Sequence, residues 1–211
     1  MPEYPVWEIE RKAADVLRQA YPQSMPDSFI DNEWVIEAHV GIEILPVPGL
    51  RNGWEIDVLL RRYIAGGYDI IVDQDLADNL PHRYRFTLGE ELGHLVLQAE
   101  HLPKANSIEE AISLYRRFNE SFVLHRNARR FAAAILMPIH TLVTNTQRVY
   151  GELVSRVGTG DPEAIRKYVV SRLAQMYEVS AETMRIRLRE HPHRLNERIE
   201  KALKEGLDCL P

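Results

Sequence analysis

The spacing of apolar residues divides the chain into an early mixed region and a late helical one. In EIERKAADVLRQA, residues 8–20, Ile9, Ala13, Val16, Leu17 and Ala20 recur at helical spacing. A loop with two prolines follows, Tyr21 to Pro26, and a short helix is predicted over 28–39. IEILPV, residues 42–47, then alternates like a strand. PGLRNG, 48–53, has turn chemistry, and WEIDVLL places Trp54, Ile56, Val58 and Leu60 on one strand face. GYDIIVD, 67–73, predicts a third strand after Gly66-Gly67. DQDLAD, 73–78, lacks the glycine and distal glutamate of a calcium loop and reads as a solvated turn.

From residue 81 onward helical spacing dominates. RFTLGEELGHLVL, 85–97, carries a core-facing stripe of Leu88, Leu92, Leu95 and Val96. Residues 106–136 are predicted helical, and Pro138 stops them because the residue before proline avoids the α conformation. Another helix is expected over 139–157. GTGDP, 158–162, marks a boundary: Asp161 suits an N-cap and Pro162 the first helical turn. The pattern predicts an α+β fold with domains at 1–157 and 162–211. Trp7, Trp34 and Trp54 are expected in the core or at an interface.

Composition narrows the class only a little. The 211 residues are 45% hydrophobic and 27% charged, as in ordinary soluble domains, and enough to bury a core without staples. One cysteine, Cys209, excludes an internal disulfide framework and any Cys-based zinc site. The N-terminal MPEYPVWEIE has neither a basic leader nor an apolar stretch, so a cytoplasmic protein with no membrane partner is expected. The net charge of -5 does not advertise nucleic-acid binding. Residues 162–211 are nevertheless slightly basic, with ten Lys/Arg against eight Asp/Glu.

The candidate chemistry lies in EELGH, residues 90–94. A zinc-peptidase helix of the H-E-x-x-H type sets two imidazoles four residues apart on one face, with a glutamate between them as base. Here those positions are Glu90, Glu91 and His94. A carboxylate is itself a zinc ligand, so the spacing survives a change of ligand type. Gly89 and Gly93 cost roughly 1 kcal/mol each in helix propensity and permit close approach of a neighbouring backbone. A bland alternative stands beside this reading: Thr87 to Glu90 has the T-x-x-E spacing of a capping box, and His94 is then an ordinary helix histidine.

RFTLGEELGHLVL resembles the RFTLAHELGHLLLH run of the ImmA/IrrE metallo-endopeptidases. Forty residues on, RNARRFAAAILMP (126–138) resembles that family's EANxFAAELLMP run. The resemblance spans roughly residues 8–190. It implies a zincin-like metallopeptidase core, zinc as cofactor, and cleavage of helix-turn-helix repressors. It also implies metal ligands at Glu90, His94 and, counting back from Met137-Pro138, Asn127, with Glu91 as catalytic base. Two of those three ligand positions depart from the family's two histidines and one glutamate. Glu, His and Asn together suit an oxygen-preferring cation better than zinc. The expectation is therefore either a divergent hydrolase holding zinc or another divalent cation, or an impaired, metal-free relative that binds a protein partner, with a helix-turn-helix repressor as that partner. In the impaired case one of Arg126, Arg129 and Arg130 supplies the charge of the metal. His101 lies too far along the helix to share the metal, and His125, two residues from Asn127, falls on another face.

SRLAQMYEVSAETMRIRL, 171–188, resembles a helix-turn-helix. Ala174 fits the small position, Val179-Ser180 the turn, and Met184 and Leu188 the packing positions; Glu178 replaces the turn glycine. Arg185, Arg187 and Arg189 are candidate contacts to DNA phosphates or to a partner protein. The residues that would enter the major groove are Ala181 and Glu182, which weakens the DNA reading.

Overall fold

Three strands form a small mixed sheet: β1 (Glu43–Val47), β2 (Val58–Arg62) and β3 (Tyr68–Asp73). The computed structural model describes residues 4–118, 122–190 and 192–211. β3 is central, parallel to β1 and antiparallel to β2. Its Ile70, Ile71 and Val72 are all buried, as expected of a strand covered on both faces. β2 begins four residues later than the alternation predicts. Gly49 (φ 77°) and Glu55 (φ 58°), both left-handed, bracket a short helix, Leu50–Trp54 (here α3), and break the extended run. Ile56, Val58 and Leu60 are buried as read, whereas Trp54 is not. Trp7 and Trp34 are exposed as well, so none of the three tryptophans is a core residue.

Around the sheet lie α1 (Val6–Ala20), α2 (Asn32–Trp34), α4 (Gln74–Asn79), α5 (Pro81–Gln98), α6 (Ile108–Phe118) and α7 (Phe122–Leu136). α2 runs on into a π-helical turn, Val35–Val40, so the helix expected over 28–39 is tighter at one end and wider at the other. The acidic DQDLAD is not a solvated turn. Buried Asp73 caps α4 by accepting from Leu76 N at 3.2 Å, and its other oxygen accepts from Arg51 N at 2.9 Å. α5 starts at Pro81, so Thr87 is mid-helix and bonds back to Arg83 O rather than capping. The stretch expected as one helical region over 106–136 contains α6 and α7; residues 119–121 lie outside the described residues.

The chain condenses as two compact units, one running to Met25 and over Asp31–Leu136, the other comprising Pro26–Ile30 and Met137–Pro211. The second unit is helical: α8 (Ile139–Val157), α9 (Pro162–Tyr177), α10 (Ala181–Arg189) and α11 (Leu195–Glu205). Asp161 caps α9 from Ala164 N, with Pro162 in its first turn. A buried polar knot ties this unit together: Asn145 Nδ2 donates to Tyr177 Oη, and Tyr177 Oη donates to Thr141 Oγ1. Among the described residues no helix is long and apolar enough to cross a membrane.

Candidate functional site

The site grows from one helix crossing inside the first unit. A Cβ placed on Gly93 would stand 3.0 Å from the Cα and the carbonyl oxygen of Ala128; one on Gly89 would stand 3.1 Å from the Ala132 Cβ. α5 and α7 therefore cross almost backbone to backbone, and the glycines that disfavour a helix locally are required by its neighbour. This contact aligns two rows of polar residues beside it. On α5 these are Glu90, His94 and Gln98, spaced by four; on α7 they are His125 and Arg129, also spaced by four.

The rows meet side chain to side chain. Arg129 Nε donates to Glu90 Oε1 at 2.8 Å. The rings of His94 and His125 lie edge to face, centroids 5.0 Å apart and planes at 82°. Gln98 Nε2 donates to Leu124 O at 3.0 Å, which turns Gln98 Oε1 towards His94 Nδ1, 2.8 Å away. That amide oxygen only accepts, so the His94 proton sits on Nδ1 and the lone pair on Nε2. Glu91, one step round α5, is buried. Its Oε2 accepts from Leu60 N, on β2, at 3.1 Å. Glu91 and His94 share a cavity of about 10 Å³ with Leu60, Arg61, Leu102 and Tyr115. That is the space of about one water.

Burial sets the protonation states. It pushes the Glu91 carboxyl well above the usual carboxylate range, and the neighbouring Glu90 adds to the effect. Burial likewise raises Glu90, against the opposing pull of the Arg129 guanidinium. His94 is pushed down to about 4, chiefly by burial. His125 is lowered by burial and then by Arg129. At neutral pH both imidazoles are therefore uncharged, and a neutral imidazole is the ligating form.

Asn127 is not part of this group. It stands two residues from both His125 and Arg129, about 200° round α7, and those two already face Glu90 and His94. Counting from Met137-Pro138 places it on α7, the helix that crosses α5. Asn127 is fully buried, and neither its Nδ2 nor its Oδ1 has a hydrogen-bond partner among the described residues. Leaving a buried polar group unmatched costs about 1–3 kcal/mol, whereas an apolar group of similar shape avoids that cost. Asn127→Leu should thus raise stability by roughly that amount, seen as a higher urea midpoint with unchanged slope. A fall in the midpoint would mean that the amide is satisfied in solution.

The ligand set carried over from the resemblance does not fit a metal as the side chains stand. Asn127 makes no hydrogen bond to Glu90 or His94, and the Glu90 carboxylate is held by a guanidinium. Among the described residues no three His, Cys, Asp or Glu side chains converge to hold a metal ion. His125 was set aside on sequence grounds, yet its ring meets that of His94. The legible signal was the repeated spacing of four, Glu90/His94 against His125/Arg129.

In the second unit α9 and α10 are joined by a three-residue turn. Glu178 takes the left-handed conformation (φ 50°) that a glycine would favour, and Ser180 caps α10 from Thr183 N. Of the three candidate arginines, Arg187 is buried, donating to Met137 O and Glu190, and is not available to phosphate. Arg185 is at the surface, paired with Glu182, and Arg189 is exposed.

Residues 55–189 match the model of a family described as the IrrE N-terminal-like domain, Peptidase M78. No curated protein matches the chain. A solved structure of a Mycobacterium tuberculosis transcriptional regulator is similar at 16% identity and a TM-score of 0.49, over 88% of this chain and 52% of that one. This chain thus spans about half the length of that regulator.

Proposed function

Because the chain belongs to the family of IrrE N-terminal-like, M78-type peptidase domains, we propose that it is a catalytically impaired or divergent member that acts by binding a protein partner, a helix-turn-helix repressor in the first instance. The observation that carries this reading is the Arg129–Glu90 ion pair. The carboxylate in the first ligand position is neutralised by a side chain of the same unit.

Two measurements test the proposal together. Zinc-supplemented protein and Glu91→Gln are incubated with a panel of purified helix-turn-helix repressors and with an unfolded protein substrate. Cleavage by the wild type should be no faster than by the variant, while at least one repressor is retained intact on immobilised protein. Loss of a general base lowers rates by about 10²–10⁴. A difference of that size between wild type and Glu91→Gln would overturn the impaired reading.

The α9–α10 pair supports a second reading, a DNA-binding regulator, because its short capped turn suits a helix-turn-helix. Its surface charge argues against it: Arg187 is buried and Arg185 is paired with an acid at the helix start. Salt-sensitive, sequence-selective retardation of DNA in a gel would favour this second reading over the first.

A further inference from the structure

We propose that the stacked pair Tyr21 and Trp34, with the carboxylates of Asp31, Glu33 and Glu37 about it, is the docking surface for a basic segment of the protein partner, one that presents arginine or lysine. The proposal rests on the reading above that the chain acts by binding such a partner, and names the surface and the chemistry that would do it.

The aromatic pair is the first argument. The two ring centroids are 5.0 Å apart, with the planes at 35°. Trp34 is 42% exposed although its neighbours Asn32, Val35 and Ile36 are buried. Those neighbours anchor the segment, and Asn32 Nδ2 donates to Arg85 O at 2.9 Å. Trp34 N donates to Asp31 Oδ1 at 3.0 Å, in the cap of α2. The indole is thus held at the surface by its backbone and by Tyr21, and has little freedom left to lose on binding. Tryptophan is enriched among the residues that dominate binding energy. The face of its ring attracts guanidinium and ammonium groups.

Charge selects the occupant. Asp31, Glu33 and Glu37 are all exposed on this short stretch. Their partners among the described residues are backbone amides and a hydroxyl. Asp31 accepts from Trp34 N, Glu37 accepts from Ile44 N at 3.4 Å, and Glu33 is hydrogen-bonded to the buried Tyr84 hydroxyl. Asp31 and Glu37 lie within electrostatic reach of that same hydroxyl, so the three carboxylates gather round one point. Asp57 and Glu90, in the same unit, face arginines instead. Arg85, which Tyr21 feels, is buried, and His39 is exposed on the π-helical turn. A cation brought by a partner therefore meets both an open ring face and carboxylates that no arginine or lysine already holds. A protein that binds DNA carries a cationic face for the phosphates, so a repressor brings the charge that this surface takes. Residues 1–161 hold sixteen Lys/Arg against twenty-three Asp/Glu, which favours a cationic partner at longer range as well.

The test uses the full chain. The probe is a fluorescein-labelled, alanine-based peptide with repeated arginines, beside the same peptide with glutamates in their place. Anisotropy titrations at low salt are expected to show binding of the arginine peptide, weakened by added salt, and none of the glutamate peptide. Trp34→Ala should lose about thirtyfold in affinity, as for a central anchor. Trp34→Phe keeps a ring on Tyr21 and should lose less than about fivefold. The triple change Asp31→Asn, Glu33→Gln, Glu37→Gln keeps every acceptor oxygen and should lose about tenfold. A charge-matched triple at exposed positions of the second unit, Glu152→Gln, Glu163→Gln, Glu205→Gln, should stay within about threefold. Each variant is checked for folding by circular dichroism. The proposal is overturned if the wild type does not bind the arginine peptide, if folded Trp34→Ala or the first triple stays within about threefold of wild type, or if the second triple loses as much as the first. Retention of whole repressors keeps the two readings apart. Repressors held equally by wild type and Trp34→Ala would overturn this surface and leave the partner reading intact. Peptide binding that needs Trp34 and the three carboxylates, with no repressor held, would support the surface and count against a repressor as its occupant.

Discussion

Gly93→Leu is expected to prevent the first unit from folding cooperatively. The position has no room for even one carbon: a Cβ there meets Ala128 Cα and O at 3.0 Å and Phe131 Cβ at 3.1 Å. Two of those three atoms are backbone and the third is bonded directly to it, so no rotamer change relieves the contact. α7 would have to move away from α5, and with it His125 and Arg129 would leave His94 and Glu90. Overpacking a core costs roughly 1–3 kcal/mol, and a leucine here lies at or beyond the upper end of that range. Gly89→Ala should be milder, because its nearest contact is the Ala132 Cβ. Gly53, with nothing within 4 Å of its Cβ position, is the control. Gly53→Ala should be neutral or gain up to about 1 kcal/mol from helix propensity. Urea unfolding followed by near-ultraviolet circular dichroism separates the cases. A Gly93→Leu protein with a wild-type midpoint would show that the two helices do not cross where this contact puts them.

The same glycines show what the sequence could and could not convey. Their presence in a helical run was a visible cost, and the resemblance of 85–97 and 126–138 to a known helix pair said which helices were involved. Periodicity placed α1 and α8 to within two residues, and the local caps and prolines fixed the start of α9: Pro138, Asp161 and Pro162 act on their own neighbours. β2 was misjudged because its start is set by two left-handed residues, Gly49 and Glu55, and a glutamate gives no warning of that conformation. DQDLAD looked solvated because a buried capping carboxylate and an exposed one share the same letters. The site was half legible. Glu90, Glu91 and His94 could be read from spacing on one helix. Arg129, the partner of Glu90, stood among three arginines named beside the second motif, but the ring contact of His125 was missed, because a motif count fixes distance along α7 and not rotation about it.

Protonation gives the last expectation its sign. In chelator-treated protein, Glu91→Gln should make the slope of stability against pH more positive above about pH 4.3, the ordinary carboxylate pKa. In the wild type the folded state keeps a proton on Glu91 that the unfolded chain releases, since burial holds this carboxyl well above its usual range. Its stabilising effect is complete below the unfolded pKa and is lost as pH rises, by up to about 1.4 kcal/mol per unit. Glu90 acts in the same direction, less strongly because Arg129 opposes its shift. His94 acts oppositely. Its folded pKa of about 4 lies below the unfolded value of about 6.5, so the unfolded chain takes the proton first. Stability therefore rises with pH across that window, and His125 adds to the rise. In the wild type the opposing slopes largely cancel up to about pH 6.5. Beyond that the histidines have finished titrating, and the carboxyl goes on lowering stability for as long as the folded state keeps its proton. Glutamine keeps an oxygen for Leu60 N and cannot ionise. Glu91→Gln should therefore gain stability from pH 4 to about 6.5 and stay nearly level above it. The absolute values will differ, because the new NH₂ needs a partner that the carboxyl did not, so the slopes are compared. Urea midpoints at half-unit steps from about pH 4 to 8.5 decide the matter. Parallel curves for the two proteins would mean that Glu91 enters the folded state ionised, with a counter-charge other than its backbone partner at Leu60.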